Sequence, residues 1–147
     1  MALKETLKGK RIAGIDYGRK RTGLAVCDEF HITVSPRRFF LMDSVNFWDE
    51  LLEALKSERV EAIVVGVPYR LDEIVTDLIK EILDFIKELE LKSNITVIPY
   101  DESYSSHKSL QTMLEIGVKK KQRAKKGNMD KIAAAVILRD FLQELEG

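Results

Sequence analysis

The sequence predicts an α/β fold, in which one five-stranded mixed sheet carries helices on both of its faces. A strand-rich first quarter contains three β-type segments separated by short polar connectors. The rest of the chain alternates amphipathic helical stripes with two short apolar runs, which are typical of strands buried on both sides. With 147 residues, of which 45% are apolar, the chain is long enough for one core, and we expect a single domain over residues 1–147.

The first three strands are expected at residues 11–16, 22–28 and 31–41, and their short connectors favour an antiparallel meander. Ser44 can cap the helix that follows. The apolar run at residues 62–68 predicts a fourth strand. The apolar face of the intervening helix consists of Val45, Trp48, Leu51, Leu52 and Leu55.

The second half of the chain continues this alternation. An apolar stripe between residues 74 and 89, preceded by Asp72 as a cap, predicts a long helix, and residues 95–99 predict a buried fifth strand. A helix is expected from Ser103 or Ser105 to near Gly117, followed by a basic connector at 118–128 and a last helix from about Met129.

The resulting order is β-β-β-α-β-α-β-α-α. Right-handed crossovers place the fourth and fifth strands parallel to the first strand and beside it. This is a ribonuclease H-like arrangement. The carboxyl ends of strands one, four and five are then neighbours, and ligands of open α/β sheets bind at such an edge.

The charges are balanced overall but unevenly distributed. Lysine plus arginine and aspartate plus glutamate number 24 each, yet residues 1–41 and 92–147 are net basic and residues 42–91 are net acidic. If the fold brings the two ends together, a positive face suited to a polyanion results, whereas evenly solvated charge is the simpler alternative. Cys27 is the only cysteine, which excludes a disulfide framework and a cysteine zinc cluster, and we expect it to be packed in a strand.

The N-terminus lacks the apolar core of a signal peptide, and no uninterrupted apolar run reaches about 18 residues. We therefore expect a cytoplasmic protein without a membrane partner.

Three acidic positions are predicted to reach the same edge of the sheet. Asp16 ends the first strand, Asp101 and Glu102 follow the fifth, and Asp130 opens the last helix. Each of them alone is explained equally well as a turn or helix-capping residue. Together, carboxylates at such short separation require a cation if they are to stay ionised. Asp72 is a weaker fourth candidate, better explained as a helix cap.

Hard oxygen ligands suit Mg²⁺ or Mn²⁺, which activate water and neutralise a scissile phosphate, so the pattern favours phosphodiester hydrolysis. His31 and His107 lack metal-ligand spacing. Basic residues flank the predicted site, which favours a nucleic acid backbone over a small phosphate ester, although the connector is also typical of a solvated loop. Four tyrosines near this edge could stack on bases. The basic candidates are Arg19, Lys20, Arg21, Lys119, Lys120, Lys121, Arg123, Lys125 and Lys126, and the tyrosines are Tyr17, Tyr69, Tyr100 and Tyr104.

These motifs resemble the YqgF-type, or RuvX-type, pre-16S rRNA nucleases, also called Holliday junction resolvase-like proteins. The resemblance covers nearly the whole chain, and its signatures are residues 14–28, Val64-Val-Gly-Val-Pro68 and the segment from Lys126 to Ala135. It implies a ribonuclease H-like fold, divalent-metal nuclease activity and catalytic carboxylates at Asp16, Glu102 or its neighbour Asp101, and Asp130.

Two positions depart from the family pattern. Ser103 replaces an arginine that usually follows the Asp-Glu pair, which puts any phosphate contact of that arginine in doubt. Asp72 is followed by Glu73 where the family often has glycine, which favours a helix start over a turn. Neither change removes a predicted metal ligand.

Three functions remain open from the sequence. The first is a Mg²⁺- or Mn²⁺-dependent endonuclease that matures the 5′ end of pre-16S rRNA, with ribosomal precursor particles as partners. The second is a resolvase of four-way DNA junctions, for which a homodimer is expected because two strands are cut, whereas a monomer suits rRNA processing. The third is a non-catalytic RNA-binding module. An actin- or hexokinase-like nucleotide binder is disfavoured, because 147 residues supply only one of the two domains it requires.

Overall fold

A computed structural model of the chain describes residues 3–68, 76–102 and 128–146. Asp72, the helix expected to end near Gly117 and nearly all of the basic connector therefore lie outside the described residues. The described elements are α1 (Leu3–Leu7), β1 (Ile12–Asp16), β2 (Arg21–Cys27), β3 (Val34–Leu41), α2 (Phe47–Ser57), β4 (Ala62–Val67), α3 (Thr76–Ser93), β5 (Thr96–Asp101) and α4 (Asn128–Glu146).

The five strands form one sheet in the order β3-β2-β1-β4-β5. β2 is antiparallel to both β1 and β3, while β4 is parallel to β1 and β5 is parallel to β4. This confirms the predicted mixed sheet and the predicted adjacency of the carboxyl ends of β1, β4 and β5.

Helices cover both faces of the sheet, as predicted. Successive strand residues point to opposite sides, so each face presents side chains that pack against helices. Ala13 and Ile15 of β1 belong to the core that includes α2 and α3, whereas Ile12 packs in the second core, with α4. Cys27 is buried in that second core, which confirms its predicted packing role. Among the described helices, none combines the length and the apolar character that crossing a membrane requires.

The start of α2 differs from the prediction. The helix begins at Phe47, which is buried, whereas Val45, predicted on the apolar face, is 97% exposed. Ser44 does not cap the helix. Its Oγ accepts a hydrogen bond from the backbone N–H of Asn46, 3.1 Å away, and so forms a turn before the helix.

Two strands also differ from the prediction. β3 begins at Val34 instead of residue 31, because the Asp28 carboxylate accepts hydrogen bonds from the backbone N–H groups of Ile32 and Thr33 and closes a turn there. β5 was expected to be a buried strand, but only Val97 and Tyr100, one on each face of the sheet, are buried, and Thr96, Pro99 and Asp101 are exposed. It lies at one edge of the described sheet, and the helix α1 was not predicted.

Gly23 allows α4 to approach the sheet closely. A Cβ atom at this position of β2 would overlap the backbone carbonyl of Asp130. The contact brings the first turn of α4 directly against the strand that pairs with the end of β1, where Gly23 lies opposite Asp16. The glycine therefore helps to bring Asp130 towards the carboxyl end of β1.

We expect Gly23→Ala to lower the free energy of unfolding by about 1–3 kcal/mol, because the added methyl group must displace a helix backbone. Urea unfolding followed by far-ultraviolet circular dichroism measures this change. Leu91→Ala, at a side chain that is 83% exposed, is the control and should change stability by less than about 0.5 kcal/mol. Equal stability of the two variants would contradict the close approach.

Candidate active site

The alternation of side chains along the strands decides which acidic residues share a face. Asp16 lies two residues after Gly14, whose Cα faces Ala134 and Leu138 of α4, so Asp16 lies on the α4 face of β1. Tyr17, the next residue, packs instead with the core on the α2 and α3 side. The carboxyl group of Asp16 therefore lies at the end of β1, on the side where α4 begins.

The same argument separates Glu102 from Asp101. Tyr100 packs in the α4-side core, where its ring centroid lies 5.6 Å from that of Phe141. Glu102, two residues later, is on this face, while Asp101 is exposed and lies on the opposite one. The backbone N–H of Glu102 donates to the carbonyl of Val67 at 3.2 Å, which continues the pairing of β5 with β4 beyond the strand end.

Gly66 provides the space for the Glu102 carboxylate. A Cβ atom on Gly66 would lie 2.5 Å from Glu102 Oε2 and 2.7 Å from Ile137 Cδ1 of α4. A larger residue at this position of β4 would therefore require the Glu102 carboxylate or the Ile137 side chain to move. The glycine within the 64–68 motif was the available sequence signal for this contact, although the contact itself was not predicted.

Asp130 enters the same region from the first turn of α4. Its Oδ2 accepts a hydrogen bond from Arg21 Nε at 2.9 Å, and both side chains are partly buried. Arg21 was predicted to contact nucleic acid, and its ion pair with Asp130 was not predicted, since the two residues are 109 positions apart.

The three carboxyl groups are electrostatically coupled. Burial, and then the negative charges of Glu102 and Asp130, raise the pKa of Asp16 from 3.8 to about 8. Burial, and then the charge of Asp101, raise the pKa of Glu102 from 4.5 to about 7. In the absence of a metal ion, both groups therefore hold a proton more readily near neutral pH than an exposed carboxyl group does.

The other residues predicted to contact nucleic acid differ in their surroundings, and many of them lie outside the described residues. Arg19 donates from Nη2 to Glu81 Oε2 of α3 at 2.6 Å, and Tyr17 packs against Phe85 with ring centroids 5.0 Å apart. Tyr100 is buried, so the prediction that it stacks on a base is wrong. The Lys20 side chain is exposed. Tyr69, Ser103, Tyr104, His107 and the basic residues Lys119, Lys120, Lys121, Arg123, Lys125 and Lys126 lie outside the described residues.

The donor set suits a hard divalent cation. It consists of carboxylate oxygens, and the pKa of Asp16 is raised by burial first and then by the negative charges of Glu102 and Asp130, which a cation would offset. Within residues 3–68, 76–102 and 128–146, no three acidic, histidine or cysteine side chains lie close enough together to hold one metal ion. Asp130 contacts Arg21 instead, so gathering all three carboxylates around a metal requires this aspartate to share or leave its arginine.

Comparison with known sequences agrees with the family resemblance of the motifs. The family model described as "RuvX: Holliday junction resolvase" matches residues 10–144. A protein of Bacteroides fragilis named "Putative pre-16S rRNA nuclease" is 36% identical over 134 residues, which cover 90% of this chain and 96% of that protein. A protein of the same name from Amoebophilus asiaticus is 39% identical over 134 residues, covering 90% and 93% of the two chains.

Two solved structures resemble the fold. One is T. thermophilus RuvC in complex with a Holliday junction substrate, with a TM-score of 0.63 and 17% identity over 94% of this chain and 96% of that chain. The other is Fowlpox virus resolvase with substrate Holliday junction DNA, with a TM-score of 0.55 and 19% identity over 92% and 97%. These likenesses show that the fold is ribonuclease H-like, as predicted.

The raised pKa of Asp16 has a measurable effect on stability in the absence of divalent cations. Between pH 4 and pH 8 the unfolded chain loses a proton that the folded protein keeps, so the contribution of Asp16 to stability falls as the pH rises from its unfolded pKa of 3.8 to its folded pKa of about 8. We expect Asp16→Asn to be more stable than the wild type at pH 8 by about 1 kcal/mol or more, and the advantage to shrink towards pH 5.

Urea unfolding in EDTA at pH 5 and pH 8 measures this difference. A saturating divalent cation that binds the folded site should reduce or reverse the advantage of the variant, because binding to the native state stabilises the wild type. A difference between the proteins that is independent of pH would show that Asp16 does not titrate with a raised pKa.

Proposed function

Because the chain belongs to the RuvX family, whose description is Holliday junction resolvase, we propose that it is a divalent-metal-dependent endonuclease that hydrolyses phosphodiester bonds of structured nucleic acid. Residues 1–147 act in this proposal as one ribonuclease H-like nuclease domain. The observation that carries it is the convergence of Asp16, Glu102 and Asp130 on one face of the sheet, where two of the carboxyl groups have a raised pKa.

Asp16, Glu102 and Asp130 are the proposed metal ligands. Glu102 is preferred over Asp101 because the strand alternation puts Asp101 on the opposite face of the sheet. A bound Mg²⁺ or Mn²⁺ would supply an activated water and neutralise charge on the scissile phosphate. The chain itself positions the ligands at the ends of β1 and β5 and at the start of α4, and Gly66 keeps the space beside Glu102 open.

Maturation of the 5′ end of pre-16S rRNA is the role we propose for this activity. Its support is the name shared by the relatives from Bacteroides fragilis and Amoebophilus asiaticus, which align over nearly their whole length. Lys20 and Arg21, which follow the end of β1, and the six basic residues between 119 and 126 are the proposed contacts to the nucleic acid backbone. Precursor ribosomal particles in the cytoplasm are the implied partners.

Resolution of four-way DNA junctions is the second candidate. It is favoured by the description of the family and by the two resolvases with which this chain shares its fold. Both substrates present the same phosphodiester group to the same carboxylates. The arrangement of the site therefore agrees with either substrate, and cleavage assays must distinguish them.

We expect wild-type protein to cleave a 5′-extended 16S rRNA precursor in Mg²⁺ or Mn²⁺, and Asp16→Asn and Glu102→Gln to lower the rate by about 100-fold or more, since each loses a metal ligand. Asp101→Asn is the matched control, because it alters the adjacent carboxylate on the opposite face, and it should retain most of the activity. Gel analysis of end-labelled RNA, with a four-way DNA junction assayed in parallel, measures the rates.

The outcomes separate the alternatives. Symmetric cutting of the junction by a homodimer, with the RNA left intact, would favour the resolvase. Binding of RNA with a steep salt dependence, but without cleavage in either metal, would indicate a non-catalytic RNA-binding module. Normal cleavage by a folded Asp16→Asn protein would show that the proposed site is wrong.

A further inference from the structure

One positive side chain lies directly beside the proposed metal ligands. Arg21 begins β2 on the α4 face, two residues before Gly23, and its Nε donates to Asp130 Oδ2 at 2.9 Å. The two side chains are 29% and 23% exposed, so water screens this ion pair only in part. In the proposed function, Arg21 is only one of several nucleic acid contacts.

The backbone that carries Arg21 is firmly held. Thr22, which is fully buried, accepts a hydrogen bond at its Oγ1 from the backbone N–H of Gly18 at 3.3 Å, closing the connection between β1 and β2. On the other side of β2, Arg21 pairs with Leu41 of β3, and the backbone N–H of Met42 donates to the carbonyl of Lys20 at 2.9 Å. The start of the Arg21 side chain is therefore fixed relative to Asp130.

The ion pair leaves part of the guanidinium available. Only Nε bonds to Asp130, and within the described part of the chain the two Nη groups of Arg21 make no other hydrogen bond or ion pair. Guanidinium groups bind phosphate as they bind carboxylates, through paired N–H donors, and here Asp130 accepts a hydrogen bond from Nε alone. A nucleic acid backbone that reaches this edge of the sheet therefore offers Arg21 an alternative partner.

The same ion pair works against a divalent cation at this site. An Asp130 oxygen that accepts a guanidinium N–H is less available as a metal ligand, and a fixed positive charge within a few ångströms repels a second cation. Arg21 thus supplies a positive charge to Asp130 when no metal is present.

We propose that Arg21 is a positioning residue that couples metal binding to nucleic acid binding: without nucleic acid it holds Asp130 and weakens the site for divalent cations, and a backbone phosphate draws its guanidinium away and releases Asp130. The inference rests on the proposed function in taking Asp16, Glu102 and Asp130 as the ligands. By thermodynamic linkage, bound metal must then strengthen nucleic acid binding by the same factor.

The first part of the proposal is that Arg21 weakens the binding of divalent cations. It is tested by measuring Mn²⁺ binding to the full chain without nucleic acid, from the electron paramagnetic resonance signal of the free ion. Arg21→Gln should bind Mn²⁺ about fivefold more tightly than the wild type, or tighter still. Arg19→Gln is the matched control. It removes the same charge two residues away, but Arg19 pairs with Glu81 on the other face, so the affinity should stay within about twofold of wild type.

Two further variants test whether the effect on Mn²⁺ affinity comes from the charge of Arg21 and from its interaction with Asp130. Arg21→Lys keeps the charge and should bind Mn²⁺ more like the wild type. In an Asp130→Asn background, replacing Arg21 by glutamine should have a much smaller effect, because a double-mutant cycle isolates the interaction between the two side chains. Circular dichroism confirms that each variant is folded.

The second part of the proposal is that a backbone phosphate draws the Arg21 guanidinium away from Asp130. It is tested by following the ¹⁵Nε resonance of Arg21, which is assigned by its loss in Arg21→Gln. In EDTA, an RNA oligonucleotide should shift this resonance, whereas a peptide nucleic acid of the same sequence, which has no phosphates, should leave it unchanged. An unmoved resonance at saturating RNA would overturn the coupling to nucleic acid.

Failure of this inference is distinguishable from failure of the proposed function. If the wild type binds Mn²⁺ and cleaves nucleic acid while Arg21→Gln has unchanged or weaker Mn²⁺ affinity, Arg21 only supports the structure and this inference is overturned. If the wild type binds no Mn²⁺ and cleaves neither substrate, the metal site itself is wrong, and both proposals are overturned.

Discussion

The burial of carboxyl groups close to one another is the constraint on which the arrangement of the proposed site depends. The ends of β1 and β5 and the first turn of α4 bring Asp16, Glu102 and Asp130 to one edge of the sheet, where burial weakens the hydration that would otherwise keep Asp16 and Glu102 charged. A folded chain can respond by retaining protons, by pairing a carboxylate with a fixed cation, or by binding a metal. The structure shows the first response in the raised pKa values of Asp16 and Glu102, and the second in the Arg21–Asp130 ion pair.

The two faces of the sheet separate residues that are neighbours in the chain. Asp16, Arg21 and Glu102 lie on the α4 face, whereas Tyr17, Arg19 and Asp101 lie on the other. Arg19 and Arg21 are consequently not equivalent, although both follow Asp16 closely. Arg19 pairs with Glu81, and the hydrogen bond from its guanidinium lowers the pKa of that carboxyl group. Of these two arginines, Arg21 is the one that contacts an acidic residue of the proposed site, so neighbouring basic residues of one motif have different partners.

The fold was largely predictable from sequence because its signals are local. Apolar runs, polar connectors and the handedness of crossovers are enough to order β1, β4 and β5, and hence to place Asp16 at their shared edge. The predicted starts of α2 and β3 were wrong because the side chains of Ser44 and Asp28 form local turns there, and hydrophobic periodicity does not detect such contacts. The buried character expected of β5 was correct only for Val97 and Tyr100, because the strand lies at an edge of the described sheet, and the position of a strand in the sheet is a property of the whole fold.

The site was predictable only in part, for a related reason. Three acidic positions at strand ends and a helix start were recognisable as candidates, but the choice between Asp101 and Glu102 needed the register of β5 on β4. The ion pair between Arg21 and Asp130 joins residues 109 positions apart and depends on the close approach at Gly23. Such a contact follows from packing a helix against a strand, and no pattern within either segment indicates it.

The proposed site does not by itself discriminate between nucleic acids. In the proposed function, the carboxylates and Arg21 contact a phosphodiester group, which is common to RNA and DNA and carries no sequence information. Discrimination must therefore come from the surface around the edge of the sheet and from how many sites meet one substrate. A junction with two equivalent strands calls for two sites related by symmetry, whereas a single cut at the end of an rRNA needs only one. Specificity in this fold is thus determined by surface and assembly, around a site whose electrostatics are set by β1, β5 and α4.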